Sequence, residues 1–119
     1  MTTQKLKHVE HPQIDDALIS KIVHTIVDAF NPRRIILFGS RAEGKARPDS
    51  DLDLFIEMET NLHPAERRTR VRRLFWPQTC AMDILVYTPQ EVAERRDVLG
   101  TLVYSVERRG RTLYERPEK

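Results

Sequence analysis

The chain has little cysteine and no long apolar run, and both absences narrow the class of protein. Its one cysteine, Cys80, cannot form a disulfide within the chain, so we expect a protein of the reducing cytoplasm. No apolar run approaches the length of a membrane span, and the polar first residues lack the apolar centre of a signal peptide. Repeats and low-complexity segments are also absent from the sequence. These absences predict a cytoplasmic protein without a membrane association.

Positive and negative charges are nearly equal in number. The chain has 20 lysine and arginine residues and 18 aspartate and glutamate residues, which gives a formal net charge of +2. This balance does not favour direct nucleic-acid binding. With 119 residues, the chain is large enough for one hydrophobic core and too small for two. We expect a flexible N-terminus over residues 1–12, a single domain over 13–115 and a tail over 116–119.

A predicted phosphate-binding turn follows the first predicted strand, an apolar run at residues 35–38. Gly39-Ser40 interrupts that run, and one or two helical turns are predicted at residues 41–43, ending at Gly44. Glycine lets a phosphate approach the backbone, the serine hydroxyl can donate to it, and free N–H groups at a helix start favour an anion. Taken alone, a Gly-Ser after a strand is most often only a turn.

Two carboxylates, Asp51 and Asp53, open a second predicted strand at residues 51–56. Residues two apart in a strand point to the same face, about 7 Å apart along it, so both carboxylates share one side. Two oxygen ligands on one face suit Mg²⁺, which binds carboxylates together with substrate phosphates. Taken alone, such a pair is most often a solvated strand edge. The opposite face is predicted to enter a core through Leu52, Leu54 and Ile56.

The two features together resemble the signature of the nucleotidyltransferase superfamily that includes the DNA polymerase β-like enzymes. That signature is Gly-Ser, a ten-residue spacer and Asp-x-Asp, and Gly39-Ser40 with Asp51-Leu52-Asp53 fits it without a gap. The resemblance implies an α/β (α+β) fold in which helices pack on a small mixed sheet. It also implies that Gly39 and Ser40 bind the β- and γ-phosphates of a nucleoside triphosphate. Arg41 is a candidate to neutralise those phosphates, although an arginine there is equally compatible with a solvent-facing side chain.

A third acid, Asp83, lies near the start of an otherwise apolar predicted strand at residues 81–87. An unpaired buried carboxylate is costly, so Asp83 indicates either an exposed strand end or a third carboxylate beside Asp51 and Asp53. In nucleotidyltransferases a third acid comes from such a later strand. The resemblance therefore implies that Asp51, Asp53 and Asp83 are catalytic and bind Mg²⁺, in a two-ion site. Cys80 is interpreted as a small buried residue rather than a nucleophile.

The remaining segments predict packing elements. Apolar residues repeat every four positions at residues 14–30 and predict an amphipathic helix, with Pro12 at its first position. A capping box at residues 88–91 predicts a helix to Arg95, and a further helix is expected from Asp97 to Gly110. A short last strand is expected at residues 112–114. Arg33-Arg34, before the first strand, is interpreted as solvated charge.

A predicted helix at residues 64–75 is rich in arginine. Its interior contains five arginines around a narrow apolar stripe formed by Val71, Leu74 and Phe75. Each single arginine is interpreted as solvent-exposed. The cluster as a whole is interpreted as a surface for an acidic partner protein rather than RNA, because aromatic residues are not interleaved with it.

The small size narrows the resemblance to the minimal nucleotidyltransferases (MNT), which are often encoded beside a HEPN-domain partner. This implies Mg²⁺-dependent transfer of AMP from ATP to a tyrosine hydroxyl of a HEPN ribonuclease toxin, with the MNT protein as antitoxin. Glu43 departs from the pattern, because many relatives carry a basic residue there, and this weakens the expected triphosphate contacts. Two alternatives stay open: a small-molecule acceptor such as an antibiotic, and a non-catalytic antitoxin that neutralises its partner by binding.

Overall fold

A single four-stranded sheet organises the computed structural model, which describes residues 14–118. The strands are β1 (Arg34–Phe38), β2 (Leu52–Glu57), β3 (Met82–Tyr87) and β4 (Arg111–Glu115), in the sheet order β3-β2-β1-β4. β1 pairs antiparallel with β2 and β4, whereas β2 and β3 are parallel. The described helices are α1 (Asp16–Phe30), α2 (Pro64–Arg73), α3 (Pro89–Arg95) and α4 (Leu102–Arg109). This arrangement confirms the predicted α/β fold with a small mixed sheet.

One face of the sheet packs against α1 and α2. Alternate residues of β1, β2 and β3 point into this core, as their period-2 pattern predicts. α1 begins after Asp15, whose carboxylate accepts the N–H of Leu18 at 2.8 Å. The expected role of Pro12 in starting this helix falls outside the described residues. The buried members of this core include Ile22, Ile26, Ile35, Leu37, Leu52, Leu54, Ile56, Val71, Phe75, Ile84 and Val86.

The opposite face of the sheet is covered by α3 and α4 over part of its length. A smaller core joins Ile36 and Phe55 of the sheet to Val92, Val103 and Val106 of the two helices. α3 has the predicted capping box: the Thr88 hydroxyl accepts the Glu91 N–H, and the Glu91 carboxylate accepts the Thr88 N–H. No helix in the part of the chain from 14 to 118 is long and apolar enough to cross a membrane.

Two helix predictions were wrong. Residues 40–44 form hydrogen-bonded turns rather than a helix, because Lys45 bonds back to the Ser40 carbonyl, one residue further than an α-helix allows. The predicted helix from Asp97 begins only at Leu102. Gly100, with φ +92°, ends the preceding turn, and the Thr101 hydroxyl caps the helix by accepting the Tyr104 N–H.

The interpretation of Arg34 as solvated charge was also wrong. Its Nε donates to the Glu57 carboxylate at 2.8 Å, and its terminal nitrogens donate to Glu107 at 3.0 and 2.6 Å. Glu57 is only 2% exposed. The three side chains therefore form an ion-pair network that ties β1, β2 and α4 together beneath the smaller core.

The outer edge of β3 is closed by two arginines of α2. The carbonyls of Ala81 and Tyr87 bond to β2, so those of Met82 and Val86 point away from the sheet. Arg72 donates to the Met82 carbonyl at 3.1 Å and Arg67 to the Val86 carbonyl at 3.3 Å. Arg67 is buried, so the interpretation of every α2 arginine as solvent-exposed was wrong for this residue. Bonded carbonyls at an edge strand discourage pairing with another chain.

Candidate active site

The three acids singled out in the sequence lie at one end of the sheet. Parallel pairing places Asp53 of β2 directly beside Asp83 of β3. Neighbouring strands are about 4.8 Å apart, so these side chains emerge next to each other on the face that also carries Phe55. Asp51 comes immediately before β2 and two residues before Asp53. The structure thus brings Asp51, Asp53 and Asp83 together.

Mutual repulsion and burial make Asp53 an unusual carboxylate. Burial raises its pKa above the ordinary value of 3.8, and the negative charges of Asp83 and Asp51 raise it further, while Arg41 opposes them. Within residues 14–118, no ion pair joins any of the three acids to a basic side chain. A partly desolvated carboxylate without a basic partner, with two further acids nearby, attracts a cation.

The donor set fits Mg²⁺ in a particular way. Across the described residues, no group of three His, Cys, Asp or Glu side chains converges closely enough to form a ready metal cage. The three acids therefore lie close enough to interact electrostatically, but their side chains do not converge on one metal position. Mg²⁺ usually binds one or two carboxylates and completes its shell with water and substrate phosphates. Asp53 together with Asp51 or Asp83 fits that requirement.

Gly39 holds the first strand close to the Asp53 carboxylate. β1 ends at Phe38, which pairs with Asp53, and Gly39 then leaves the strand with φ +75°. A Cβ on Gly39 would collide with Oδ2 of Asp53. Position 39 thus requires glycine for two reasons: its positive φ and the nearby Asp53 carboxylate. A Gly-Ser turn in a sequence can suggest the first reason but not the second.

The turn after Gly39 offers backbone donors beside the carboxylates. The N–H groups of Ala42 and Glu43 are occupied by the Gly39 carbonyl. Among the described residues, the N–H groups of Ser40 and Arg41 have no backbone acceptor. Two free N–H groups next to a hydroxyl form a concave site of the kind that binds phosphate oxygens.

A comparison with models of protein families identifies the family of the chain. A profile described as "Polymerase beta, Nucleotidyltransferase" matches residues 20–119. The chain belongs to this nucleotidyltransferase family. A search of curated proteins gave no significant match.

The nucleotidyltransferase fold is also found by comparison with solved structures. The crystal structure, at 1.40 Å resolution, of a candidate nucleotidyltransferase from Sulfolobus solfataricus superposes with a TM-score of 0.62 and 20% sequence identity. The match covers 84% of this chain and 79% of the other. At that identity the likeness shows a shared fold.

Arg41 of the nucleotidyltransferase domain has a structural task that the sequence did not reveal. Its Nη2 donates to the Ser50 carbonyl at 2.8 Å, so its side chain spans the loop that leads to Asp51. Its Nε is buried and has no partner among the described residues. The predicted contact of Arg41 with nucleotide phosphates stays a prediction. Cys80, also near Arg41, is 1% exposed, which confirms its interpretation as a buried residue.

Proposed function

We propose that this nucleotidyltransferase transfers AMP from ATP to a hydroxyl, most specifically a tyrosine hydroxyl of a HEPN-type toxin protein, and thereby acts as the antitoxin. The observation that carries the proposal is the pairing of Asp53 with Asp83 beside the turn at Gly39-Ser40. A turn with free N–H groups and an acid pair, of which Asp53 is partly buried, are together suited to displacement at phosphorus, in which positioning and charge supply most of the catalysis.

The nucleotide side of the site uses Ser40, Arg41 and the acids. The free N–H groups of Ser40 and Arg41 and the Ser40 hydroxyl bind the β- and γ-phosphate oxygens. Asp53 together with Asp51 or Asp83 would hold Mg²⁺, consistent with the general use of a triphosphate and Mg²⁺ in this family. When bound, Mg²⁺ supplies positive charge that stabilises the leaving pyrophosphate.

The transfer step requires little covalent chemistry from the protein. The acceptor hydroxyl oxygen forms a bond to the α-phosphorus, and the bond from that phosphorus to the oxygen bridging to the β-phosphate breaks. Pyrophosphate leaves, AMP stays on the acceptor oxygen, and the hydroxyl proton passes to a carboxylate. Asp83 is exposed and belongs to an edge strand, where an incoming acceptor can reach it.

A labelling experiment tests this function. The chain is mixed with the HEPN-domain protein encoded beside it, Mg²⁺ and ATP labelled at the α-phosphate, and label on the partner is measured. We expect label with the native chain and none with the Asp51→Asn/Asp53→Asn variant. A stable complex without label would contradict catalysis, and neutralisation retained by the variant would establish occlusion instead. Label on an added antibiotic rather than on the partner would establish a small-molecule acceptor.

A further inference from the structure

The outer surface of α2 carries arginines that the fold itself does not use. Arg67 and Arg72 are engaged with the edge of β3, as described above. Arg70 and Arg73, here called the arginine face, are exposed and lie three positions apart, so they share one side of the helix. Among residues 14–118, neither of these two lies within ion-pair distance of a carboxylate. Two cations without an ion-pair partner, within one helical turn, form a local positive surface on a chain of nearly balanced charge.

Trp76 stands next to this surface and is almost fully exposed. Its side chain is 84% exposed, the highest value among the large apolar residues of the described region. It borders a groove of about 290 Å³, here called the Trp76 groove, lined by Arg72, Phe75, Trp76, Gln78 and Met82. An indole beside an apolar groove and flanked by arginines has the composition of an interface hot spot.

The Trp76 groove lies at the same end of the sheet as the acids. Met82, which lines the groove, is the first residue of β3, and Asp83 is the next residue. β3 is an edge strand, and its consecutive residues Met82 and Asp83 point to opposite faces of the sheet. A ligand that wraps around the start of β3 therefore reaches the groove on one face and Asp83 on the other. The groove is therefore placed to receive a segment of the molecule whose hydroxyl attacks the α-phosphorus near Asp83.

We propose that the arginine face and the Trp76 groove dock an acidic polypeptide segment of the acceptor protein, with one apolar side chain of that segment entering the groove. This inference rests on the proposed function, because it names how the acceptor of that reaction is recognised. Charge complementarity to the two arginines of this face selects an acidic partner. A polypeptide fits better than RNA because the chain has one tryptophan, and single-stranded nucleic acid is usually bound by several aromatic side chains on which successive bases stack.

The fluorescence of Trp76 reports directly on this groove, because the chain contains one tryptophan. The full chain is titrated with a short peptide in which glutamates flank one leucine and one tyrosine. We expect a blue shift of the emission and protection from acrylamide quenching as the indole becomes covered. The same peptide with glutamine in place of glutamate, an oligouridylate of matching length, and Mg²⁺ with ATP are titrated in parallel and should leave the emission unchanged.

Matched variants locate the effect. Arg70→Glu/Arg73→Glu should weaken peptide binding by about tenfold or more, because two attractive charges become repulsive. Lys21→Glu/Arg109→Glu makes the same change in net charge on other exposed helix positions and should bind as the native chain does. In a label-transfer assay, Trp76→Ala should raise the acceptor KM and leave kcat nearly unchanged. Leu99→Ala removes another highly exposed apolar side chain and should change neither.

The outcomes separate this docking surface from the proposed reaction. Peptide-dependent protection that persists in Asp51→Asn/Asp53→Asn supports the surface even if no AMP is transferred. Protection by ATP alone overturns the proposal, because Trp76 then serves the nucleotide. Equal protection by oligouridylate makes the surface an RNA site, and the absence of saturable peptide binding also overturns it.

Discussion

A side chain at position 39 is disfavoured by the backbone angle and by a close neighbour, whereas at position 44 only the backbone angle disfavours it. Both have a left-handed backbone, with φ +75° and +73°, but a Cβ on Gly39 meets Asp53 and one on Gly44 meets nothing. Alanine at either position should cost about 1–2 kcal/mol of unfolding free energy from the backbone alone. We expect Gly39→Ala also to displace Asp53 and abolish nucleotidyl transfer, while Gly44→Ala keeps it. Urea unfolding and transfer assays on both variants check this, and equal activity in the two would refute the steric role of Gly39.

Asp53 should be a residue that costs stability. Because burial and its acidic neighbours raise its pKa, the folded chain binds this proton more tightly than the unfolded chain. The stability from Asp53 is fully present below its ordinary pKa of 3.8 and is lost as the pH rises through the raised value. We therefore expect Asp53→Asn to have a higher Tm than the native chain at pH 7 without metal, with the difference vanishing in acid.

Added Mg²⁺ supplies the control for Asp53. It should raise the Tm of the native chain and leave Asp53→Asn nearly unchanged, because the ion stabilises only the state that binds it. Scanning calorimetry in chelator and in Mg²⁺ measures both effects. A lower Tm for the variant in chelator would show that Asp53 stabilises the fold instead.

At the scale of single elements, α2 is anchored by Arg67. This buried side chain donates to the carbonyls of Leu62 and Val86 and to the Glu91 carboxylate, so it joins α2, β3 and α3. Burial alone would raise the Glu91 pKa, but the hydrogen bonds from Arg67 and Thr88 outweigh it and lower the pKa. We expect Arg67→Ala to cost about 3 kcal/mol or more, since it leaves buried acceptors unpaired.

Arg68→Ala is the matched control for that change. Arg68 neighbours Arg67 but is exposed, so its truncation should change the unfolding free energy by no more than about 0.5 kcal/mol. Chemical denaturation of both variants gives the comparison. Similar losses for the two would mean that Arg67 is not the anchor.

The elements that could be predicted are those marked by a local pattern. The strand faces, the capping box at Thr88 and the stripe containing Val71 and Phe75 depend on residues a few positions apart. The start of α4 was missed because Asp97 and Thr101 are both acceptable caps, and the choice depends on how Gly100 turns the chain. Hydrophobic periodicity describes one segment at a time, so it cannot decide which of two possible caps the tertiary packing favours.

The interactions that could not be predicted are those between residues far apart in the sequence. Arg34 and Arg67 look like surface charge in the sequence, and their carboxylate partners lie 23 to 73 positions away. The grouping of the acids beside Gly-Ser could be predicted because their spacing is a signature, and their catalytic roles stay a prediction. The contact of Gly39 with Asp53 was not, since it follows from the register of β1 on β2.

At the scale of the whole molecule, the Arg34–Glu57–Glu107 network should govern acid stability. The hydrogen bond from Arg34 lowers the Glu107 pKa, although burial opposes it. Glu107 therefore contributes stability above its ordinary pKa of 4.5, and that contribution is lost as the pH falls through the lowered value. We expect Glu107→Gln to cost about 2 kcal/mol at neutral pH, with the difference from the native chain shrinking in acid.

An exposed acid provides the comparison for Glu107. Glu94 lies exposed on α3 and accepts only from Gln90, so Glu94→Gln should be nearly neutral at every pH. Urea denaturation of the two variants from acid to neutral pH measures the difference. A Glu107→Gln curve parallel to that of the native chain would exclude this network as the acid-sensitive element.

The parallel pairing of β2 with β3 also has a consequence for folding kinetics. Asp53 and Asp83 are 30 positions apart in sequence and become neighbours only when β3 docks beside β2, with α2 as the crossover between them. Parallel strands require such long connections, and contacts distant in sequence form slowly. Repulsion between the two carboxylates opposes this docking until a cation arrives. Mg²⁺ should therefore bind late on the folding pathway. We expect it to lower the unfolding rate constant of the native protein more than it raises the folding rate constant.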